Sequence, residues 1–258
     1  MSHKLFDIAG RTAVVVGGTS GIGRTLALGF AEAGANTVAT GRRAELVASV
    51  QAEIEAFGVR SLSATCDVAS AESVQEFART VAAEFGSVDI VVYAAGVTKR
   101  APTVTFDLEV WNQNFDTNVA GALRVAQAFY PTLKQSSAAR LINICSLSSF
   151  RAFHEVAAYG ASKSALLSLT RNLGCEWAKD GIRTNAIVPG VFVTDLNREL
   201  LNGTDRGREL LTRTPMGRFG DVSELVGTAL FLASDASAFI TGSHIVVDGG
   251  FLASGVNQ

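Results

Sequence analysis

Histidine and cysteine are both scarce in this chain. Among 258 residues there are three of each. His3, His154 and His244 form no ligand cluster, and Cys66, Cys145 and Cys175 are odd in number and far apart. Neither a disulfide framework nor a metal site is expected, and the thiols read as buried and free in a reducing compartment. Strong charge is missing as well. The formal net charge is −2 and the pI about 6.0, which gives no electrostatic case for nucleic acid. No apolar run approaches the ~18 residues of a membrane span. The opening MSHKLFDIAG has no apolar stretch long enough for a secretory signal. With no linker and no solenoid repeat either, the expectation is one cytoplasmic domain over residues 1–258.

What is present is a large apolar fraction and many glycines. The chain is 48% hydrophobic and 18% charged, with 25 glycines, a balance that suits a globular core with many strand-to-helix turns. Thr12–Val16 is a β-branched run, as in a strand buried on both faces. Further strands are expected at Asn36–Thr40, within 59–68, at 88–93, at Leu141–Cys145, at 182–188 ahead of Pro189, and at Ile245–Val247. Between them lie helical stripes: 24–33, 44–57, a stripe through Val74, Phe77, Val81 and Phe85, and 111–134. Strands alternating with helices imply right-handed crossovers and a parallel sheet. The expected fold class is α/β, a single-domain, doubly wound parallel sheet of about seven strands with helices on both faces.

Two stretches carry chemistry. The first is Gly17-Gly-Thr19-Ser20-Gly21-Ile22-Gly23, between a strand and a helix. Glycines let the backbone approach a pyrophosphate, and a helix N-terminus offers unpaired N–H groups to an anion. The spacing differs from the standard Gly-x-Gly-x-x-Gly fingerprint. The second runs from Asn143 to Lys163. Ser146 follows an apolar strand, where open α/β sheets bind ligands. Tyr159 and Lys163 stand four residues apart, which on a helix is one face and about 6 Å along the axis. A free phenol ionises near pH 10, and a neighbouring positive charge favours its phenolate. Such a pair can act as a tuned general acid/base.

Over nearly its whole length the chain resembles a short-chain dehydrogenase/reductase. Gly17-x-x-x-Gly21-Ile22-Gly23 is similar to that family's cofactor turn, Asp67-Val68 to its adenine contact, and Asn118 in DTNVAG to the asparagine that helps to hold a proton-relay water. Ser146, Tyr159 and Lys163 are similar to the catalytic trio, with Ser146 thirteen residues before Tyr159. Ala95-Gly96 corresponds to a further cofactor contact, and Pro189-Gly190 and Thr194 to the nicotinamide loop. The family usually has Asn where this chain has Tyr93, and commonly Thr at Val16. The resemblance implies a Rossmann-type oxidoreductase that moves hydride between a nicotinamide and a carbinol or carbonyl carbon. In that scheme Ser146 bonds the substrate oxygen, Tyr159 transfers the proton, and Lys163 tunes Tyr159 and holds the ribose.

Cofactor choice turns on Thr40-Gly41-Arg42-Arg43. No carboxylate is offered to the ribose hydroxyls of NAD, and Arg42 can meet a 2′-phosphate, so NADP(H) is favoured with NAD(H) left open. Residues 191–216 fall where the family places its substrate lid, and the lid carries Arg198, Arg206, Arg208 and Arg213. With Arg100, Arg151 and His154 nearby, a polar sugar, polyol or sugar acid is the expected substrate. The alternatives are a 3-oxoacyl-carrier-protein reductase and, in another class, a non-catalytic dinucleotide sensor. Helices 111–134 and 156–179 are apolar on more than one face, which with the resemblance implies a homo-oligomer, dimer or tetramer. The tail 249–258 is a candidate for a second interface.

Overall fold

The computed structural model describes residues 4–194 and 197–255. His3, the Asp195–Leu196 part of the expected lid and the last three residues of the tail lie outside them. Strand β1 is Thr12–Val16, buried at every position, and β2 is Asn36–Thr40. Strands β3, Ile90–Tyr93, β4, Arg140–Ile144, β5, Arg183–Pro189, and β6, His244–Val247, follow. All neighbours pair in parallel in the order β2-β1-β3-β4-β5-β6. The chain reverses its direction across the sheet between β1 and β3, which opens a crevice at their C-terminal ends.

Helices α1, Gly21–Glu32, α2, Ala44–Glu55, α3, Ala71–Phe85, α4, Leu108–Phe115, and α5, Gly121–Gln135, are joined by α6, Ala157–Glu176. Then come the short α7, Arg198–Leu201, with α8, Asp205–Thr212, and α9, Val226–Ala233. Alternate strand residues feed two separate cores, because side chains on a strand alternate between faces. Val14, Val16, Val91 and Leu141 pack with α3, α5 and α6. Ala13, Val15, Ile90 and Ile142 pack with α1, α2 and α9. The doubly wound arrangement is as expected from sequence.

The expected strand within 59–68 does not form, so the sheet has six strands among the described residues. The segment still runs beside β2. Thr37 N–H donates to Arg60 O at 3.0 Å and Cys66 N–H to Gly41 O at 3.0 Å. Between these points side chains replace the ladder: Ser61 Oγ donates to Thr37 O and Thr40 Oγ1 to Ala64 O. Hydroxyls that take backbone partners interrupt a regular sheet.

The helix expected over 111–134 is broken as well. Residues Asp116–Ala120 form a π-helical turn between α4 and α5. Cys175 also departs from expectation, being exposed while Cys66 and Cys145 are buried. Burial raises the Cys66 thiol to about 12, with the Asp67 carboxylate adding to it, and the Cys145 thiol to about 11. Thiolate is the reactive form. A thiol reagent at pH 8 is therefore expected to label one cysteine per native chain and all three in denaturant. A native count of two or three would contradict this burial.

Candidate active site

The glycine turn joins β1 to α1 at the sheet's C-terminal edge. Gly17 and Gly18 both donate their N–H to Thr40 O, at 2.9 and 3.0 Å, so these amides serve the fold rather than a ligand. Gly17 has φ +81°, and a Cβ there would lie 2.5 Å from Ala95 N. The turns after β1 and β3 thus touch backbone to backbone. A Cβ on Gly23 would lie 2.1 Å from Gly17 O, so the helix start packs directly under the turn. The side chain of Ser20, the N-cap of α1, makes no capping bond. The first N–H groups of a helix have no internal partners, which leaves those of Gly21, Ile22 and Gly23, at the start of α1, available to a ligand. Gly21 has φ +50°, and its open side meets Thr194 at 3.6 Å. Helix-start donors with no partner among the described residues, above a turn that only glycines can pack, fit a dinucleotide pyrophosphate.

Around this cradle the other expected contacts are unequal. Val68 is buried, and its carbonyl accepts from Arg124 Nη1 at 3.0 Å. Asp67 Oδ1 accepts from Ala69 N at 3.0 Å. Gly190 packs against Asp248, where a Cβ would come within 2.5 Å of Cα, so this glycine serves close packing after Pro189, the end of β5. Gly41 lies beside Thr19, with room for a Cβ at only 3.0 Å from Oγ1. Arg42 is exposed at the end of β2, and no ion pair holds its guanidinium among the described residues.

The groups expected to handle the proton lie just past the end of β4 and on α6. Ser146 follows β4, and its Oγ accepts from Ser148 N at 3.1 Å. Lys163, on α6, is only 4% exposed, and its Nζ donates to Ile144 O at 2.8 Å, two residues before Ser146. The same Nζ is 5.7 Å from the ring centre of Tyr159. An ammonium has further donors to spare once one is used. Asn118 is fully buried in the π turn. Its Oδ1 accepts from Val97 N at 2.8 Å, and its Nδ2 donates to Val97 O at 3.0 Å and to Ser162 Oγ at 2.9 Å. Ser162 Oγ in turn donates to Tyr159 O at 2.8 Å. A Cβ on Gly96 would lie 3.4 Å from Asn118 Oδ1 and 3.5 Å from Lys163 Nζ, so Gly96 marks where the two groups meet.

Sequence reasoning missed Ser162. Its only signal was a small hydroxyl directly before Lys163. The nearby Ser149 hydroxyl donates to Lys163 O at 2.9 Å and so ties the loop after β4 to α6.

Of the basic residues expected near the substrate, the fold brings together Arg151, His154, Arg206 and Arg213 around a cavity of about 790 Å³. Phe153 and Phe251 stack at 5.9 Å on its wall. The cavity borders the segment that links Ser146 to Tyr159. Arg100 pairs instead with Glu155 at 2.8 Å, and Arg208 with Asp205 on its own helix. Burial, then the charge of Arg100, pulls the Arg206 guanidinium below its ordinary value.

A family model described as enoyl-(acyl carrier protein) reductase matches residues 16–252. Gluconate 5-dehydrogenase of Gluconobacter oxydans (strain 621H) is 37% identical over 255 residues, 98% of this chain and 100% of that one. A 2-dehydro-3-deoxy-D-gluconate 5-dehydrogenase of Dickeya dadantii (strain 3937) is 37% identical over 254 residues, with 98% and 100% covered. The solved gluconate 5-dehydrogenase of Burkholderia cenocepacia J2315, in complex with NADP and tartrate, superposes with a TM-score of 0.93 at 38% identity and covers 97% of this chain and 98% of its own. The chain belongs to the short-chain dehydrogenase/reductase family and is an oxidoreductase.

The two helical glycines separate by their surroundings. Gly23→Ala must displace the Gly17 carbonyl and is expected to cost about 3 kcal/mol or more, whereas Gly21→Ala meets only ordinary contacts and strains φ alone. Thermal unfolding of both variants checks the order, and equal losses would refute it.

Proposed function

We propose that the chain is an NADP(H)-dependent dehydrogenase that interconverts a secondary alcohol and a ketone on a polar, sugar-acid-like substrate. The observation that carries this reading is the buried Lys163 ammonium, tied to Ile144 O beside Ser146 and set against the ring of Tyr159. When bound, the nicotinamide supplies the hydride acceptor or donor. The residues of the chain do the rest. Ser146 Oγ holds the substrate oxygen, and the Tyr159 hydroxyl gives or takes its proton. Lys163 keeps a positive charge beside that hydroxyl and offers its remaining donors to the ribose. Asn118, its amide fixed by Val97 and Ser162, helps to hold the water through which the proton passes onward. The amides of Gly21, Ile22 and Gly23 take the pyrophosphate with Thr19 and Ser20, and Asp67 and Val68 border the adenine. Ala95, Gly96, Pro189 and Thr194 line the cofactor's path.

The substrate class is supported by the guanidinium-lined cavity and by relatives named for gluconate and deoxygluconate. The B. cenocepacia relative holds tartrate, a hydroxylated dicarboxylate. The expected lid region reaches this cavity through Arg206, Glu209, Leu210, Thr212 and Arg213, and we read that part as covering it. A carrier-protein reductase is the second reading, favoured by the description of the family model. An acidic carrier would meet Asp180 beside Lys179, and Asp180 is already paired with Lys134 at 2.8 Å, which makes a poor docking surface. The proposed setting is the cytoplasm, and no helix among the described residues is long and apolar enough to cross a membrane. The proposed assembly is a homo-oligomer, a dimer or tetramer. On these helices Phe129, Leu166 and Trp177 are buried on the chain's own core, while Phe115, Val119, Leu123 and Leu169 stay partly exposed and are the face left for a partner.

The decisive experiment offers sugars, sugar acids, polyols and a 3-oxoacyl thioester with each cofactor, while following absorbance of the reduced nicotinamide. Sugar-acid turnover is expected, and Tyr159→Phe should lower kcat roughly 10²–10⁴-fold while the cofactor still binds. Turnover of the thioester alone would favour the second reading, and a fully active Phe variant would sink the proton-transfer role.

Cofactor preference tests one side chain. A charge-assisted contact from Arg42 to the 2′-phosphate is worth about 1.5–3 kcal/mol, or roughly a 10- to 100-fold preference for NADP(H). Arg42→Ala is expected to erase most of it by weakening NADP(H) alone. Gly41→Asp should reverse it, provided that Thr19 yields to the new Cβ. A wild type that already prefers NAD(H) in kcat/KM would refute the role given to Arg42.

A further inference from the structure

Tyr93 ends β3 and is fully buried. Its hydroxyl donates to Thr117 O. That carbonyl needs the bond for a specific reason. In an α-helix the N–H of Gly121 would serve the carbonyl four residues back, which is Thr117 O. Here the N–H of Gly121 bonds Asp116 O instead, five residues back. The π turn therefore deprives Thr117 O of its helical donor, and the Tyr93 hydroxyl takes that donor's place. A buried carbonyl left without a donor is costly. Burial also raises the Tyr93 phenol above its ordinary value, which keeps the hydroxyl protonated and able to donate.

The next residue is Asn118. The turn that carries it is held at consecutive positions: Asp116 by Arg124 at 2.6 Å, Thr117 by Tyr93, and Asn118 by Val97 and Ser162. Gly121 leaves room for the hydroxyl, since a Cβ there would lie 2.6 Å from the Tyr93 oxygen and 3.1 Å from Val68. π turns of a single step recur at functional sites.

We propose that Tyr93 is a positioning residue: its hydroxyl holds the π turn Asp116–Ala120 in place and thereby sets the buried amide of Asn118 against Val97 and Ser162. The inference rests on the reading of Asn118 as a proton-relay group. It is tested by a cycle of Tyr93→Phe, Asn118→Ala and the double variant, using the best substrate of the panel. Tyr93→Phe keeps the ring and is expected to lower kcat roughly tenfold, the scale of one lost hydrogen bond. The cofactor KM should stay within about twofold, because the glycine turn is untouched. The double variant should be no slower than Asn118→Ala alone. Losses that multiply, or a Tyr93→Phe variant at the wild-type kcat, overturn the proposal. Asn118→Ala at the wild-type kcat removes the relay reading and this inference with it, a result distinct from multiplying losses. If Tyr93→Phe fails to fold, Gly121→Ala crowds the same hydroxyl and takes its place in the cycle with the same expected and overturning results. A readout independent of turnover is amide exchange in the cofactor-free protein. Residues 116–122 should exchange roughly tenfold faster in Tyr93→Phe, while α1 and β1 stay unchanged. Equal exchange over 116–122 overturns the proposal.

Discussion

A buried ammonium bonded to one backbone carbonyl ties the helix that carries Tyr159 to the strand that leads to Ser146. Lys163 comes from a long helix, and Ile144 from the end of a central strand. Without that bond the ammonium would be a charge sunk among apolar groups, and burying an unpaired charge is strongly unfavourable. With it, the charge has a fixed address beside Ser146 and Tyr159. The strand gives the address its precision, because β4 is buried at every position and paired on both sides. Groups that must meet a reacting atom gain from rigid supports of this kind.

The glycine turn works by a different principle, which is the removal of side chains. Gly17 lets one turn rest against the backbone of the next, and Gly23 lets the helix start rest against Gly17. Close packing of backbone on backbone and a helix start with unpaired donors come together there. The same economy appears at Gly121, whose missing Cβ leaves the Tyr93 hydroxyl its place.

Much of this was legible in the sequence, for identifiable reasons. The bounds of β1 and β2 follow directly from their β-branched and apolar runs, because central parallel strands are buried on both faces. The glycine turn and the Ser146–Tyr159–Lys163 constellation could be read because they are local in sequence. Interactions that join distant segments could not. Ser61 and Thr40 convert an expected strand into an irregular one through hydroxyl bonds that apolar periodicity does not register. The break in the helix over 111–134 depends on a tyrosine from β3, two dozen residues earlier in the chain. The π turn inserts one residue and so shifts the apolar face that follows, but a helix apolar on more than one face does not show that shift in its pattern.

The irregular segment beside β2 has a further effect, on solubility. An outer strand with a free row of N–H and C=O groups is a template on which another chain can add itself. Beside β2 that row is occupied piecemeal by Arg60, Ser61, Ala64 and Cys66, partly through side chains. The cover follows no regular register and so presents none to a newcomer. A feature that costs the sheet a strand thus closes one of its two borders to runaway stacking, and does so without proline.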